Sequence, residues 1–183
     1  MTLGKRATRY IAVLALAFGS AACDSPPPPP PTHAVVIDTI DGDTLRADIA
    51  GVRETIRLIG VDTPETKHET IRLIGVDTPE TKHPTKRAQC YGPEATQFLA
   101  ALLPPGTRVR IERDAEARDP YGRLLLYLFI ARGNGELLVS HALIAAGMAR
   151  PLVIEPNVRY QTELVAAAFA AQRDARGLWG ACR

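Results

Sequence analysis

The feature that most limits how this chain can fold is a tandem repeat. The fifteen residues ETIRLIGVDTPETKH run from Glu54 to His68 and follow again, unchanged, from Glu69 to His83. Each copy begins with β-branched and apolar residues that favour a strand, and it continues into an Asp-Thr-Pro-Glu turn. Because two identical strands cannot occupy one place in a sheet, one copy must lie outside the position that the other fills.

The first 22 residues have the layout of a bacterial export signal. Three basic residues precede an apolar run at residues 10–18, and small residues then lead to Cys23. The run is shorter than the ~20 residues that a membrane-spanning helix needs. We therefore expect residues 1–22 to be a signal peptide and the mature protein to be periplasmic or extracellular.

Residues 23–33 are expected to form a linker, because six consecutive prolines, Pro26 to Pro31, favour an extended polyproline II spacer. Processing of the signal leaves two alternatives for Cys23. It either stands unmodified at the cleavage site, or it is lipidated and tethers the protein to a membrane. Both alternatives place the protein outside the cytoplasm.

The remaining two cysteines, Cys90 and Cys182, are expected to form a disulfide, because export places them in an oxidising compartment. Removal of residues 1–22 leaves 19 basic and 20 acidic residues, which is a net charge of −1. This overall charge does not indicate a nucleic-acid partner. Evidence for such a partner must come from a particular site.

Residues 34–183 read as one α+β domain. Short β-branched or alternating segments predict strands at residues 34–40, 44–49, 52–61, 108–113 and 123–130, and helical spacing of apolar residues predicts helices at 92–103, 138–146 and 160–175. This order predicts a small β-barrel packed with helices and leaves the strand order open.

Carboxylates stand at the ends of two predicted strands. Asp43 follows the first strand, and Asp62 ends the third. If these strands are neighbours, the two side chains converge, and such hard oxygen ligands suit Ca²⁺ or Mg²⁺ rather than zinc. Taken singly, either motif reads equally well as a turn stabilised by its Asp side chain.

Two arginines and a further carboxylate add the means to cleave a phosphodiester. Arg57 precedes Asp62 by five residues, Arg123 begins a later strand, and Glu65 follows Asp62. Guanidinium groups and a divalent cation stabilise charge that develops on a phosphate, and a carboxylate can accept a proton from the attacking water. The alternative for either arginine is a surface salt bridge.

Five motifs in this order resemble the staphylococcal nuclease (thermonuclease) family. They are DGDT at 41–44, RLIGVDTPE at 57–65, YGPEA at 91–95, YGR at 121–123 and LWG at 178–180. The resemblance implies an α+β fold, a five-stranded OB-fold β-barrel packed with three helices. It also implies a Ca²⁺-dependent nuclease that cuts DNA and RNA and leaves 3′-phosphates. We expect a monomer.

The resemblance also implies roles for single residues. Asp43, Asp62 and the carbonyl of Thr63 would bind Ca²⁺, Glu65 would be the general base, and Arg57 and Arg123 would hold the phosphate, with Tyr121 beside the substrate. The equivalents in the second copy are Arg72, Asp77, Thr78 and Glu80.

The chain departs from the family in the nucleotide pocket. Leu152 and Ile154 stand where the founding member has tyrosines. An aliphatic side chain lacks the aromatic face that contributes ~1 to 3 kcal/mol per stacked base. We therefore expect weaker base stacking in this protein.

The sequence leaves an alternative function open, namely a non-catalytic OB-fold module, tethered at the cell envelope, that binds nucleic acid or a protein.

The sequence also leaves open which copy of the repeat lies in the barrel. The first copy allows a tight hairpin with the preceding strand, whereas the second keeps the family's distance to the first helix. Loop-closure entropy favours the first copy by less than about 1 kcal/mol.

Overall fold

The computed structural model describes residues 29–64 and 90–182. The expectations for the signal peptide, for Cys23 and for residues 65–89 lie outside these residues. The strands are β1 (His33–Thr39), β2 (Thr44–Ile49), β3 (Val52–Leu58), β4 (Val61–Asp62), β5 (Arg108–Glu112), β6 (Leu124–Arg132), β7 (Gly135–Leu138) and β8 (Arg150–Pro151). The helices are α1 (Gly92–Leu102), α2 (Val139–Ala145), α3 (Gln161–Arg173) and α4 (Leu178–Ala181).

Five of the strands close into a barrel. The sheet runs in the order β3-β2-β1-β5-β6-β7, and β3 also pairs with β6. That closing pair is parallel, with Ile56 opposite Leu124 and Leu58 opposite Leu126, whereas the other pairs within this sheet are antiparallel. The predicted α+β class, a five-stranded OB-type barrel packed with helices, is confirmed.

The core explains why β6 is apolar along most of its length. Leu126, Tyr127 and Leu128 are all buried, so both faces of this strand are covered. One face lines the barrel interior, and α2 packs against the strand as well. The shared core cluster includes a leucine from each of the helices α1, α2 and α3, namely Leu99, Leu143 and Leu164.

The predicted helices are confirmed with ends shifted by one or two residues, and four details differ from the prediction. A short α4 follows α3, a hairpin strand β7 extends β6, and β8 pairs with β4. The predicted strand at residues 52–61 is interrupted at Ile59 and Gly60. Among the described helices, none is long and apolar enough to span a membrane.

The interruption at Ile59 and Gly60 is held by hydrogen bonds from three other elements. The amide of Ile59 donates to the carbonyl of Leu126 (3.1 Å), and its own carbonyl accepts from the buried Ser140 hydroxyl (2.8 Å). The Gly60 carbonyl accepts from the amide of Leu152 (3.1 Å). The chain therefore leaves the barrel at a fixed angle, which sets the position of Asp62.

The structure joins Cys90 to Cys182 by a disulfide, with Cα atoms 5.9 Å apart. The bond links the segment just before α1 to the residue that ends α4. The two cysteines are 92 residues apart in sequence, and chain entropy for a loop of this size contributes about 4 to 5 kcal/mol to stability.

The angle at Gly60 leads to a testable prediction. Its φ is +84°, and a Cβ there would lie 2.4 Å from Cδ1 of Leu164, a buried side chain. Left-handed backbone costs a non-glycine residue about 1 to 2 kcal/mol, and overpacking adds about 1 to 3 kcal/mol. Gly60→Ala should therefore lower the free energy of unfolding in urea by about 2 to 5 kcal/mol.

Gly51→Ala is the matched control, because Gly51 has a similar φ of +85° with nothing within 4 Å of the added Cβ. It should show the backbone cost alone. Equal losses in the two variants would mean that contact with Leu164 contributes nothing.

Candidate active site

The carboxylate of Asp43 joins the turn between β1 and β2 to the segment after β4. Its Oδ2 accepts hydrogen bonds from the amide (3.0 Å) and the hydroxyl (2.8 Å) of Thr63. Its Oδ1 accepts one from the Thr44 hydroxyl (3.1 Å). Asp43 is only 5% exposed, so these bonds lie in surroundings where an unpaired carboxylate would be costly.

Gly42 allows this close approach. A Cβ at residue 42 would lie 2.7 Å from both Cβ and Oγ1 of Thr63 and 2.9 Å from Cβ of Ala95. Glycine therefore lets the turn before β2, the segment after β4 and helix α1 meet. This contact brings Asp43 and Thr63 into hydrogen-bonding distance although they are twenty residues apart in sequence.

Arg57 contacts both of the predicted metal-ligand carboxylates. It lies on β3 opposite Thr44, and its guanidinium forms ion pairs with Asp43 and, at 3.5 Å, with Oδ1 of Asp62. The Arg57 side chain is 14% exposed, whereas that of Asp62 is 57% exposed. Arg57 therefore balances the charge of both carboxylates from a largely buried position.

A third carboxylate adds to the negative charge beside Asp43. Asp41 accepts a hydrogen bond from the amide of Asp43 (3.1 Å), and burial together with the charge of Asp43 raises the pKa of Asp41 to about 6. The negative charges of Asp41 and Asp43 lie close together, and this favours a positively charged group beside them.

The predicted metal ligands are oxygen atoms. Within residues 29–64 and 90–182, no cluster of three or more His, Cys, Asp or Glu side chains is arranged to hold one. The predicted set has two carboxylates, Asp43 and Asp62, and the main-chain carbonyl of Thr63. These are hard oxygen donors, and they fit a Ca²⁺ or Mg²⁺ ion that completes its coordination with water.

Asp119 holds Arg123 in place. Its Oδ1 accepts hydrogen bonds from the amides of Tyr121 (3.0 Å) and Arg123 (2.9 Å), and its Oδ2 accepts one from Nε of Arg123 (2.6 Å). The turn from Asp119 to Arg123 is therefore organised by one carboxylate. Because Asp119 binds Nε, the outer nitrogens of the Arg123 guanidinium are left for a further ligand.

Arg57 and Arg123 border the same cavity, which has a volume of about 260 Å³. Leu152 and Ile154 provide an apolar wall, and Tyr121, which is 85% exposed, stands at the rim. The cavity is therefore apolar in its interior with two guanidinium groups at its edge. This arrangement can hold a flat, partly apolar group that carries an anionic substituent.

Asn157 fixes another part of this cavity's wall. Its Oδ1 accepts a hydrogen bond from the amide of Glu116 (2.8 Å), and it is 7% exposed. The Asn157 side chain thus ties the segment before α3 to the loop that follows β5. Both residues line the cavity.

The structure brings Asp43, Arg57, Asp62 and Thr63 together, and Arg57 shares a cavity with Tyr121, Arg123 and Leu152. Of these residues, Arg57, Asp62 and Thr63 belong to the first copy of the repeat. The other predicted residues lie outside the described part of the chain; they are Glu65, Arg72, Asp77, Thr78 and Glu80.

Asp119 and Asn157 position parts of the site, although the sequence alone indicated no role for either residue. Asp119 stands four residues before Arg123, in an Asp-Pro-Tyr-Gly turn pattern that could have indicated its part in the turn. Asn157 gives no comparable signal, because its partner Glu116 is 41 residues away in sequence.

Comparison with known proteins decides the family. A family model described as staphylococcal nuclease homologue matches residues 70–181, more than half of the chain. This chain belongs to the staphylococcal nuclease family. Membership confirms the resemblance of the sequence motifs and identifies the chain as a hydrolase of the nuclease type.

Several curated relatives support the assignment to this family. The chain is 35% identical to a thermonuclease of Staphylococcus hyicus over 144 residues, covering 79% of this chain and 73% of the relative. It is 33% identical to a thermonuclease of Staphylococcus intermedius over 174 residues, covering 92% of each. Endonuclease YncB of Bacillus subtilis is 33% identical, with 76% of this chain and 58% of that protein covered.

The turn organised by Asp119 allows a graded test. Asp119→Ala removes three accepted hydrogen bonds and should lower the free energy of unfolding in urea by about 2 to 3 kcal/mol. Asp119→Asn keeps an oxygen for the two amides and loses only the charged bond to Arg123, so it should cost about 1 kcal/mol. If the two variants are equally destabilised, the hydrogen bonds from the amides of Tyr121 and Arg123 to Asp119 contribute nothing to stability.

Proposed function

We propose that this protein is an exported, monomeric, Ca²⁺-dependent nuclease that hydrolyses phosphodiester bonds of DNA and RNA and leaves 3′-phosphates. The proposal rests chiefly on one observation. Arg57 and Arg123 border one cavity, and Arg57 also contacts the two carboxylates Asp43 and Asp62. A phosphate at the edge of this cavity would therefore lie next to both arginines and to a group of hard oxygen donors.

Asp43, Asp62 and the carbonyl of Thr63 would hold the cation. When bound, Ca²⁺ would neutralise charge on a phosphate oxygen and lower the pKa of an attacking water. Arg57 and Arg123 would donate hydrogen bonds to the other phosphate oxygens as negative charge develops on them. Glu65, which follows Asp62 by three residues, would accept the proton of the water.

Arg57 would share its carboxylates with the cation. Its guanidinium is paired with Asp43 and Asp62 in the structure, which are the residues proposed to hold the cation. A dication and a guanidinium compete for the same carboxylates, so a bound cation would weaken these ion pairs. The guanidinium of Arg57 would then have N–H donors available for the phosphate.

The cavity between the two arginines would receive a nucleoside. Its volume of about 260 Å³ and the apolar side chains of Leu152 and Ile154 suit a base and part of its sugar. Since neither residue is aromatic, the base is held by apolar contact rather than by stacking on this wall. We therefore expect little discrimination between bases at this position.

The first copy of the repeat is proposed to form the working site. Arg57, Asp62 and Thr63 belong to it: Arg57 and Thr63 contact Asp43 directly, and Asp62 pairs with Arg57. The equivalents in the second copy are Arg72, Asp77, Thr78 and Glu80. Because the copies are identical and closure entropy separates the two arrangements by only about 0.7 kcal/mol, a minority of molecules can hold the second copy in place.

Export through residues 1–22 would place the enzyme outside the cytoplasm, where the bond between Cys90 and Cys182 is stable. Lipidation of Cys23 would tether it to a membrane, with the prolines at residues 26–31 as spacer. Mass spectrometry of the mature N-terminus distinguishes a lipidated Cys23 from an unmodified one.

Nuclease activity is tested with purified mature protein. It should digest plasmid DNA and RNA at millimolar Ca²⁺, lose this activity in a chelator and regain it when Ca²⁺ is restored. End-group analysis of the products should find 3′-phosphates. Binding of nucleic acid without any cleavage at millimolar Ca²⁺ would instead identify a non-catalytic OB-fold module.

The use of the two copies is tested by comparing Arg57→Ala with Arg72→Ala. A difference of about 0.7 kcal/mol leaves about a fifth of the molecules with the second copy in place. Arg57→Ala should therefore retain about a fifth of wild-type kcat/KM, and Arg72→Ala about four fifths. The double variant should lose about 100-fold or more, because no guanidinium then remains at this position. If Arg72→Ala alone loses most of the activity, the second copy is the working one.

A further inference from the structure

A second and larger cavity adjoins the first one. Its volume is about 600 Å³, and Tyr121 and Arg123 line both cavities, so these two residues form the ridge between them. We call this second cavity the β3 groove. It is lined by Ile40, Asp41, Thr44, Arg53, Glu54, Thr55, Tyr121, Gly122 and Arg123.

The β3 groove follows the outward face of a strand that carries two arginines. Arg53, Thr55 and Arg57 alternate along β3 and therefore point to the same face. Four residues of strand separate the Cα atoms of Arg53 and Arg57 by about 13 Å. Arg53 is therefore placed for a different phosphate from the one beside Arg57.

The charge balance of the β3 groove leaves Arg53 available. Glu54 is held by Arg118 through two hydrogen bonds, of 3.0 and 2.6 Å, and this pairing lowers the pKa of Glu54. Asp38 interacts electrostatically with Arg53, but both of its carboxylate oxygens accept hydrogen bonds from Arg46. The side chain of Arg53 is exposed and makes no hydrogen bond or ion pair with any other described residue.

We propose that the β3 groove binds the part of the nucleic-acid strand on the opposite side of the cleaved phosphate from the apolar cavity. Arg53 holds a flanking phosphate, and the exposed ring of Tyr121 offers a face to a base, with the Arg123 guanidinium 5.5 Å from the ring centre. The inference rests on the proposed nuclease function, because the cleaved phosphate defines the two sides. It implies that the protein contacts the strand on both sides of the cleaved bond.

The test compares substrates of two sizes. The small one is a nucleoside with a single aryl phosphate ester, which reaches only the apolar cavity and the two catalytic arginines. The large one is an oligonucleotide that extends on both sides of the cleaved bond. Arg53→Ala should lower kcat/KM for the oligonucleotide about three- to tenfold and leave kcat/KM for the small substrate unchanged. Arg53→Lys should restore part of the loss.

The control variant is Arg132→Ala. Arg132 is also an exposed arginine on a strand, but it ends β6 and lines neither cavity. This variant should cleave both substrates as the wild type does. Equal losses for Arg53→Ala and Arg132→Ala would show a general effect of charge and overturn the proposal, as would a loss in Arg53→Ala that is the same for both substrates.

Binding separates this inference from the proposed function. In a chelator, a fluorescein-labelled oligothymidylate should bind to the wild-type protein with a salt dependence that reports the phosphates contacted. Arg53→Ala should reduce the slope of log K against log salt by about 0.7. If the wild type binds but does not cleave, the nuclease function fails while the slope still tests the β3 groove. An unchanged slope overturns the proposal for Arg53, whether or not the protein cleaves.

Discussion

The bonds between Asp43 and Thr63 are the contact on which the candidate site depends. They connect the turn before β2 to the segment after β4, two parts of the chain that share no strand pairing, at a place where Gly42 leaves room for them to meet. Because Asp43 is buried, its carboxylate must be satisfied there, and Arg57 provides the balancing charge. The same contact thus stabilises the closed end of the barrel and gathers the oxygen donors.

The two arginines of the site are held by different means. Arg57 is positioned by the barrel: it lies on β3, mostly buried, and is paired with Asp43 and Asp62. Arg123 is positioned by a local turn, in which Asp119 binds its Nε and two backbone amides. Arg57 therefore contacts the carboxylates that are proposed to hold a cation, whereas Arg123 is held by a carboxylate outside that set.

The repeat is compatible with this fold because the cost of extra chain rises slowly with length. Closure entropy grows only with the logarithm of loop length, so fifteen added residues cost on the order of 1 kcal/mol. The bond between Cys90 and Cys182, which encloses the segment after α1, contributes several times that amount. The barrel, with the first copy in β3 and β4, remains complete, and the family's motifs keep their order along the chain.

The strands and helices could be predicted from the sequence, because the repeat of a strand or a helix sets the spacing of its buried residues. The alternation in β2 and the helical spacing in α3 are such local patterns. The convergence of Asp43 and Asp62 could be expected from their positions at strand ends, and in the structure Arg57 contacts both. The break at Gly60, the pairing of β4 with β8 and the partnership of Asn157 with Glu116 were decided only by the tertiary structure. Each depends on contacts between residues far apart in sequence, and a local pattern carries no information about which distant group will satisfy a buried hydrogen-bonding atom.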